Sequence, residues 1–129
     1  MMQIYHSEAA PAAIGPYSQA IRTGNLLFCS GQTPLDPQTM QLVGEGIEEQ
    51  TEQALDNLSS VLRQAGLSLK DVVKTSVFLQ SMDDFPGMNA TYERIFNGHK
   101  PARTTVAVRQ NPLGARVEIE CIAEFQAND

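Results

Sequence analysis

The sequence predicts an α+β fold, a mixed six-stranded sheet with two helices on one face, in the order β-β-β-α-β-α-β-β. Three observations carry that prediction. Residues 47–65 place Ile47, Ala54, Leu55, Leu58, Val61, Leu62 and Ala65 at helical spacing, one continuous apolar stripe. Six short strand-like runs are separated by Gly, Pro and Asn punctuation. No linker, repeat or low-complexity stretch interrupts them, so residues 1–129 read as a single domain.

Residues 3–6 form a first short strand, and Pro11, Gly15 and Pro16 make residues 9–17 an ordered loop. Residues 18–22 and 26–30 flank Thr23-Gly24-Asn25, a hairpin connection. Pro34, Asp36-Pro37 and Gly44 mark residues 31–44 as loop. The first helix has Glu45, Glu48 and Glu49 at its positive N-terminal end and Gly66 as its stop. Residues 72–79 are a strand rich in β-branched side chains. Asp83 or Asp84 caps a second helix, with Pro86 tolerated in its first turn and Asn97-Gly98 closing it. Residues 103–109 and 116–125 are the last strands, joined by a loop containing Pro112 and Gly114. Two helices bury one sheet face only, yet apolar residues lie on both sides of several strands. An oligomer is expected to cover the other face.

Composition excludes several functions. The longest apolar runs fall short of a membrane span, and residues 1–6 lack the basic and apolar segments of a secretory leader. The expected compartment is the cytoplasm, where Cys29 and Cys121 read as buried free thiols. A net charge of −6 with no Lys/Arg cluster disfavours a nucleic-acid partner. Cys-x-x-Cys, His-Glu-x-x-His and Gly-rich phosphate loops are missing, and His6 and His99 are too few for a zinc site or a His-based triad. No metal or organic cofactor is expected. Chemistry then falls to carboxylates, Arg, hydroxyls and backbone groups.

Strand alternation supplies such a set. Thr104, Val106 and Val108 share one face, as do Val117, Ile119 and Cys121, and these apolar sets are assigned to the helices. Arg103 and Thr105 then point the other way, with Glu118 and Glu120. Antiparallel pairing of these strands across residues 110–115 puts a guanidinium and two carboxylates on the uncovered face. From the pattern alone, this set is either a structural Arg–Glu pair or a functional site.

Three segments resemble the reactive-intermediate deaminase (Rid, or YjgF) family: Ala12-Ala13-Ile14-Gly15-Pro16-Tyr17-Ser18-Gln19, Ser30-Gly31-Gln32-Thr33-Pro34 and Pro101-Ala102-Arg103-Thr104-Thr105-Val106. Asn89-Ala90-Thr91-Tyr92 and Val117-Glu118-Ile119-Glu120-Cys121-Ile122-Ala123 match it too, as do Gln53-Ala54-Leu55-Asp56-Asn57-Leu58 and residues 73–79. The resemblance spans the chain in order. It implies a chorismate-mutase-like fold and a homotrimer with three sites between subunits. It also implies hydrolysis of short 2-imino acids, such as 2-iminopropanoate and 2-iminobutanoate, to 2-keto acids and ammonia. Such imines arise from enamines released by pyridoxal-phosphate-dependent dehydratases.

By the same resemblance Arg103 binds the substrate carboxylate through its two-pronged fork. Glu118 positions the attacking water and takes its proton, whereas Glu120 is structural. Tyr17, Ser30 and Asn89 line the pocket, and Gly31 permits close backbone approach. Thr105 departs from the family, which often has Cys there. A hydroxyl of nearly the same size keeps the backbone contacts, and imine hydrolysis needs no thiol nucleophile. The alternative function is a binding module for keto acids or other small carboxylates using the same pocket. A ribonuclease role, also attached to the family, sits poorly with the acidic balance.

Overall fold

A computed structural model describes residues 2–126; residue 1 and residues 127–129 of the expected domain lie outside the described residues. The chain runs β1 (Met2–Tyr5), β2 (Ala20–Thr23), β3 (Leu26–Gln32), α1 (Ile47–Gln64), β4 (Val72–Leu79), α2 (Phe85–Phe96), β5 (Ala102–Ala107) and β6 (Val117–Glu124). This is the expected element order, in one mixed sheet ordered β1-β2-β3-β6-β4-β5. No helix among the described residues is long and apolar enough to cross a membrane.

Local chemistry sets the helix ends. Gly46 has no side chain to cap α1, so the Glu49 carboxylate reaches back and accepts from the amides of Gly46 (2.7 Å) and Glu45 (3.0 Å). Those bonds, the Gly46 bond first, hold its pKa below the usual carboxylate value. Gly66 takes a positive φ of 79° while the Leu67 amide returns to the Leu62 carbonyl. The expected Asp cap on α2 is not made. Asp84 occupies the cap position but its carboxylate pairs with Arg116 at 3.2 Å, and Ser81 instead caps the short turn before the helix. Asn97, at φ 49°, ends α2. The α1 stripe of Ala54, Leu55, Leu58, Val61 and Leu62 is fully buried against β3 and β6.

The pairing of the last two strands corrects the sequence reading. β5 and β6 are not neighbours: β6 inserts antiparallel between β3 and β4, and β5 lies parallel to β4 at the sheet edge. A parallel pair needs a long crossover, which α2 supplies between β4 and β5. The register then reverses the expected face of β5. Arg103 pairs with Thr75 and Thr105 with Val77, and the same two β4 residues pair with Cys121 and Ile119 of the core face. Arg103 and Thr105 therefore face the helices. Thr104 and Val106 share the open face with Glu118 and Glu120, through Ser76 and Phe78. That open face is partly apolar, with Phe28 44% and Val106 41% exposed.

Cys29 and Cys121 are free, buried and directly opposed on β3 and β6. The Cys121 thiol is pushed well above its ordinary value of 9.0, first by its hydrogen bond with the Cys29 sulfur and then by burial. Its native state keeps a proton that the unfolded chain loses. Stability is thus fully present below that value and falls as pH rises above it, by at most about 1.4 kcal/mol per pH unit per group. Tyr92, raised from 10.0 mainly by burial, adds to the loss at still higher pH. Melting temperatures taken from about pH 8 to about pH 10 should decline, and Cys121→Val should flatten the first part of that decline.

Candidate active site

The Glu118 side of the site is built where β3 bends. The β3–β6 register slips between Cys29 and Gln32, and Gly31 sits in that irregularity. A Cβ on Gly31 would lie 3.0 Å from the Glu118 carboxyl group. Glycine leaves space for that carboxyl group here and does not serve an unusual φ. Ser30 lies in β3 as expected, and Gly31, expected at the start of the following loop, belongs to the same strand. Thr33 Oγ1 donates to Glu118 Oε2 at 3.1 Å, and among the described residues Oε1 has no such bond. Thr33 is itself held by α1, where Asn57 Nδ2 donates to the carbonyls of Thr33 (3.2 Å) and Leu35 (3.0 Å). Neither Thr33 nor Asn57 was singled out from the sequence, although both lie in the family-like segments.

Tyr17 comes from the loop before β2. Gln19, buried, pins that loop by accepting from the Ser7 amide and donating to the carbonyls of Ser7 and Pro11. The Tyr17 hydroxyl accepts from the Ile14 amide at 3.3 Å, and the ring is 52% exposed. With Gly31, Thr33, Leu113 and Glu118 it lines a cavity of about 350 Å³. Ser30 Oγ donates to the Ser18 carbonyl at 2.6 Å and lies beside Tyr17 and Glu120 in an adjoining depression. Tyr17, Ser30, Gly31 and Glu118 are therefore one neighbourhood.

Arg103 belongs to another. Half-buried on the helix side of β5, its guanidinium carbon lies 4.8 Å from the centroid of the Tyr92 ring and 5.6 Å from that of Phe85. Among the described residues it has no ion pair. It cannot be the structural partner of Glu118 or Glu120 in its own chain, because they face the other way. Arg103, Asn89, Tyr92, His99 and Lys100 line a cavity of about 630 Å³. His99 is tied down there by Nε2 at 2.6 Å from the Val72 carbonyl. Thr105 lies two residues along, its Oγ1 buried with no hydrogen-bond partner among the described residues. Because the Val108 amide bonds the Leu79 carbonyl, alternation turns the Arg103 and Thr105 amides toward the open edge of the sheet.

The expected site residues thus form two clusters on opposite faces. One offers a cation and edge amides for an anion; the other offers a carboxylate, a phenol and a hydroxyl beside a small cavity.

Residues 7–125 match the family model described as Endoribonuclease L-PSP. The mouse 2-iminobutanoate/2-iminopropanoate deaminase is 46% identical over 121 residues, 94% of this chain and 90% of its own. A Thermotoga maritima crystal structure of a putative endoribonuclease superposes with a TM-score of 0.95 at 50% identity, covering 98% of this chain and 100% of that one. The E. coli protein TdcF, solved with bound serine, superposes at 0.91 with 35% identity, over 96% and 99% of the two chains. A match along nearly the whole length, in sequence and in backbone, makes this chain a member of the Endoribonuclease L-PSP family, also known as the YjgF or reactive-intermediate deaminase family.

Proposed function

We propose that the protein is a cytoplasmic homotrimer that hydrolyses short 2-imino acids to 2-keto acids and ammonia, at sites shared between subunits. The observation that carries this reading is the state of Arg103: a half-buried guanidinium over the Tyr92 ring, without an ion pair among the described residues. Such a fork is a receptor for a carboxylate, which it can hold with two parallel hydrogen bonds. The name of the mouse relative supports the substrate class. The net charge of −6 disfavours a phosphate backbone as ligand.

In this mechanism the imine carboxylate docks on Arg103, with the edge amide and unpartnered hydroxyl of Thr105 as further donors. A neighbouring subunit brings Glu118, whose free Oε1 holds a water against the imine carbon while Thr33 fixes Oε2. Water adds to the carbon while Glu118 passes one of its protons to the nitrogen, giving a carbinolamine; the hydroxyl proton then passes through Glu118 to the amine as the C–N bond breaks, which releases ammonia and forms the C=O. The remaining fragment is the keto acid. Positioning supplies much of the acceleration, because the imine already hydrolyses slowly in water.

The direct test couples the protein to a threonine dehydratase, the pyridoxal-phosphate class that generates the imine, with semicarbazide as trap. Added protein should suppress semicarbazone formation in proportion to its concentration. An unchanged signal would overturn the reading. Saturable binding of 2-oxobutanoate in that case would mark a binding module instead.

A further inference from the structure

We infer that Tyr92 and Thr75 form a positioning device for Arg103, a pinned aromatic platform that fixes the plane of the guanidinium before substrate arrives. This rests on the reading of Arg103 as the carboxylate anchor. An arginine has many rotamers, and no carboxylate among the described residues holds this one. The contacts that set its orientation are rings. The Tyr92 ring, 6% exposed in the middle of α2, is the nearer. It also packs against Phe96, with ring centroids 4.4 Å apart.

A phenylalanine would supply a stacking face equally well, so the hydroxyl must have another use. It makes a buried hydrogen bond of 2.7 Å with Thr75 Oγ1. Thr75 is fully buried and is the β4 residue directly paired with Arg103. Platform and cation are therefore both referenced to the same rung of the β4–β5 ladder. A shift of α2 along the sheet would break the Thr75 bond before it moved the ring from under Arg103. Burial, which raises the Tyr92 pKa, keeps the phenol neutral and able to donate or accept in this bond. An anchor held in its binding geometry in advance loses less freedom when the substrate docks.

The experiment compares wild type, Arg103→Ala, Tyr92→Phe, Tyr92→Leu, Thr75→Val and the Tyr92→Phe/Thr75→Val pair. It reads KM and kcat for imine hydrolysis, the Kd of 2-oxobutanoate, the melting temperature and the NMR signal of the Arg103 Nε–H. Tyr92→Phe should raise KM and Kd together by about 3- to 10-fold with kcat within about 3-fold, the size of one net hydrogen bond. Tyr92→Leu should raise both by about 10- to 30-fold and reduce the ring-current shift of the Nε–H to the smaller part that Phe85 supplies, whereas Tyr92→Phe retains it. The double variant should be no worse than Tyr92→Phe alone, because both remove one bond. A purely structural role would lower the melting temperature of every variant with Kd unchanged, and that result overturns the inference. Should Tyr92→Leu fail to fold, the Tyr92→Phe and Thr75→Val arms decide the question by the same criterion. If Arg103→Ala leaves Kd unchanged, the anchor assignment itself falls and takes this inference with it. If Arg103→Ala abolishes binding and the Tyr92 variants do not weaken it, only the positioning role falls.

Discussion

Glu118→Gln is expected to cut imine hydrolysis by about 10²- to 10⁴-fold while leaving the assembly and the affinity for 2-oxobutanoate intact. The substitution keeps the shape of the side chain, and its carbonyl oxygen can still accept from Thr33 as the carboxylate does at 3.1 Å. The space opened by Gly31 still suffices. What disappears is the capacity to take a proton from water. Semicarbazone formation in the dehydratase-coupled assay measures the loss, and calorimetry measures the retained keto-acid binding. Full activity in the variant would refute the role of base. Equal loss of binding and turnover would show that Glu118 organises the pocket rather than the water.

Arg103→Ala should fail differently. It removes charge-assisted hydrogen bonds to the carboxylate worth about 1.5–3 kcal/mol each, so kcat/KM should fall on the order of a hundredfold or more. The affinity for 2-oxobutanoate should fall in parallel. The opposite-face placement of Arg103 and Glu118 adds a sharper test. If each site takes Arg103 from one subunit and Glu118 from its neighbour, the two inactive variants should complement one another. Mixed, dissociated and reassembled at equal ratio, they should recover roughly a quarter of wild-type activity, the statistical share of intact sites in a cyclic assembly. Light scattering should give about three chain masses for every sample. A monomer, or mixed assemblies with no recovered activity, would place the two residues in separate sites and remove the shared-site mechanism.

Much of this molecule was legible locally. The α1 stripe, the run at residues 72–79 and the turns at Gly66 and Asn97 depend on periodicity and on backbone preferences within a few residues, and each stands where expected. The motifs that resemble the family also named the residues of both clusters, because the chemistry of an arginine fork or a carboxylate belongs to the residue itself. The face of β5 was not legible in the same way. Alternation divides Arg103 and Thr105 from Thr104 and Val106, but it does not say which pair meets the helices. At an interior strand the apolar set wins by burial. At this edge strand Val106 stays 41% exposed, while the arginine is covered by two aromatic rings of α2.

The order of the strands was also decided beyond local sequence. A loop between two adjacent strands invites a hairpin reading, yet the α2 crossover makes β4 and β5 the parallel pair and sends β6 back between β3 and β4. Gly31 shows the same division on the scale of one atom. As a residue it implies only freedom or space. That the space belongs to the Glu118 carboxylate, reached by Thr33 across 85 positions of chain, emerges only when β3 and β6 pair. By itself the sequence determined the elements and the chemical groups, since these rest on short-range sterics and residue chemistry. The tertiary structure alone decided which groups share a face, because that depends on long-range strand pairing, where one exchange of neighbours can carry a side chain to the opposite side of the sheet.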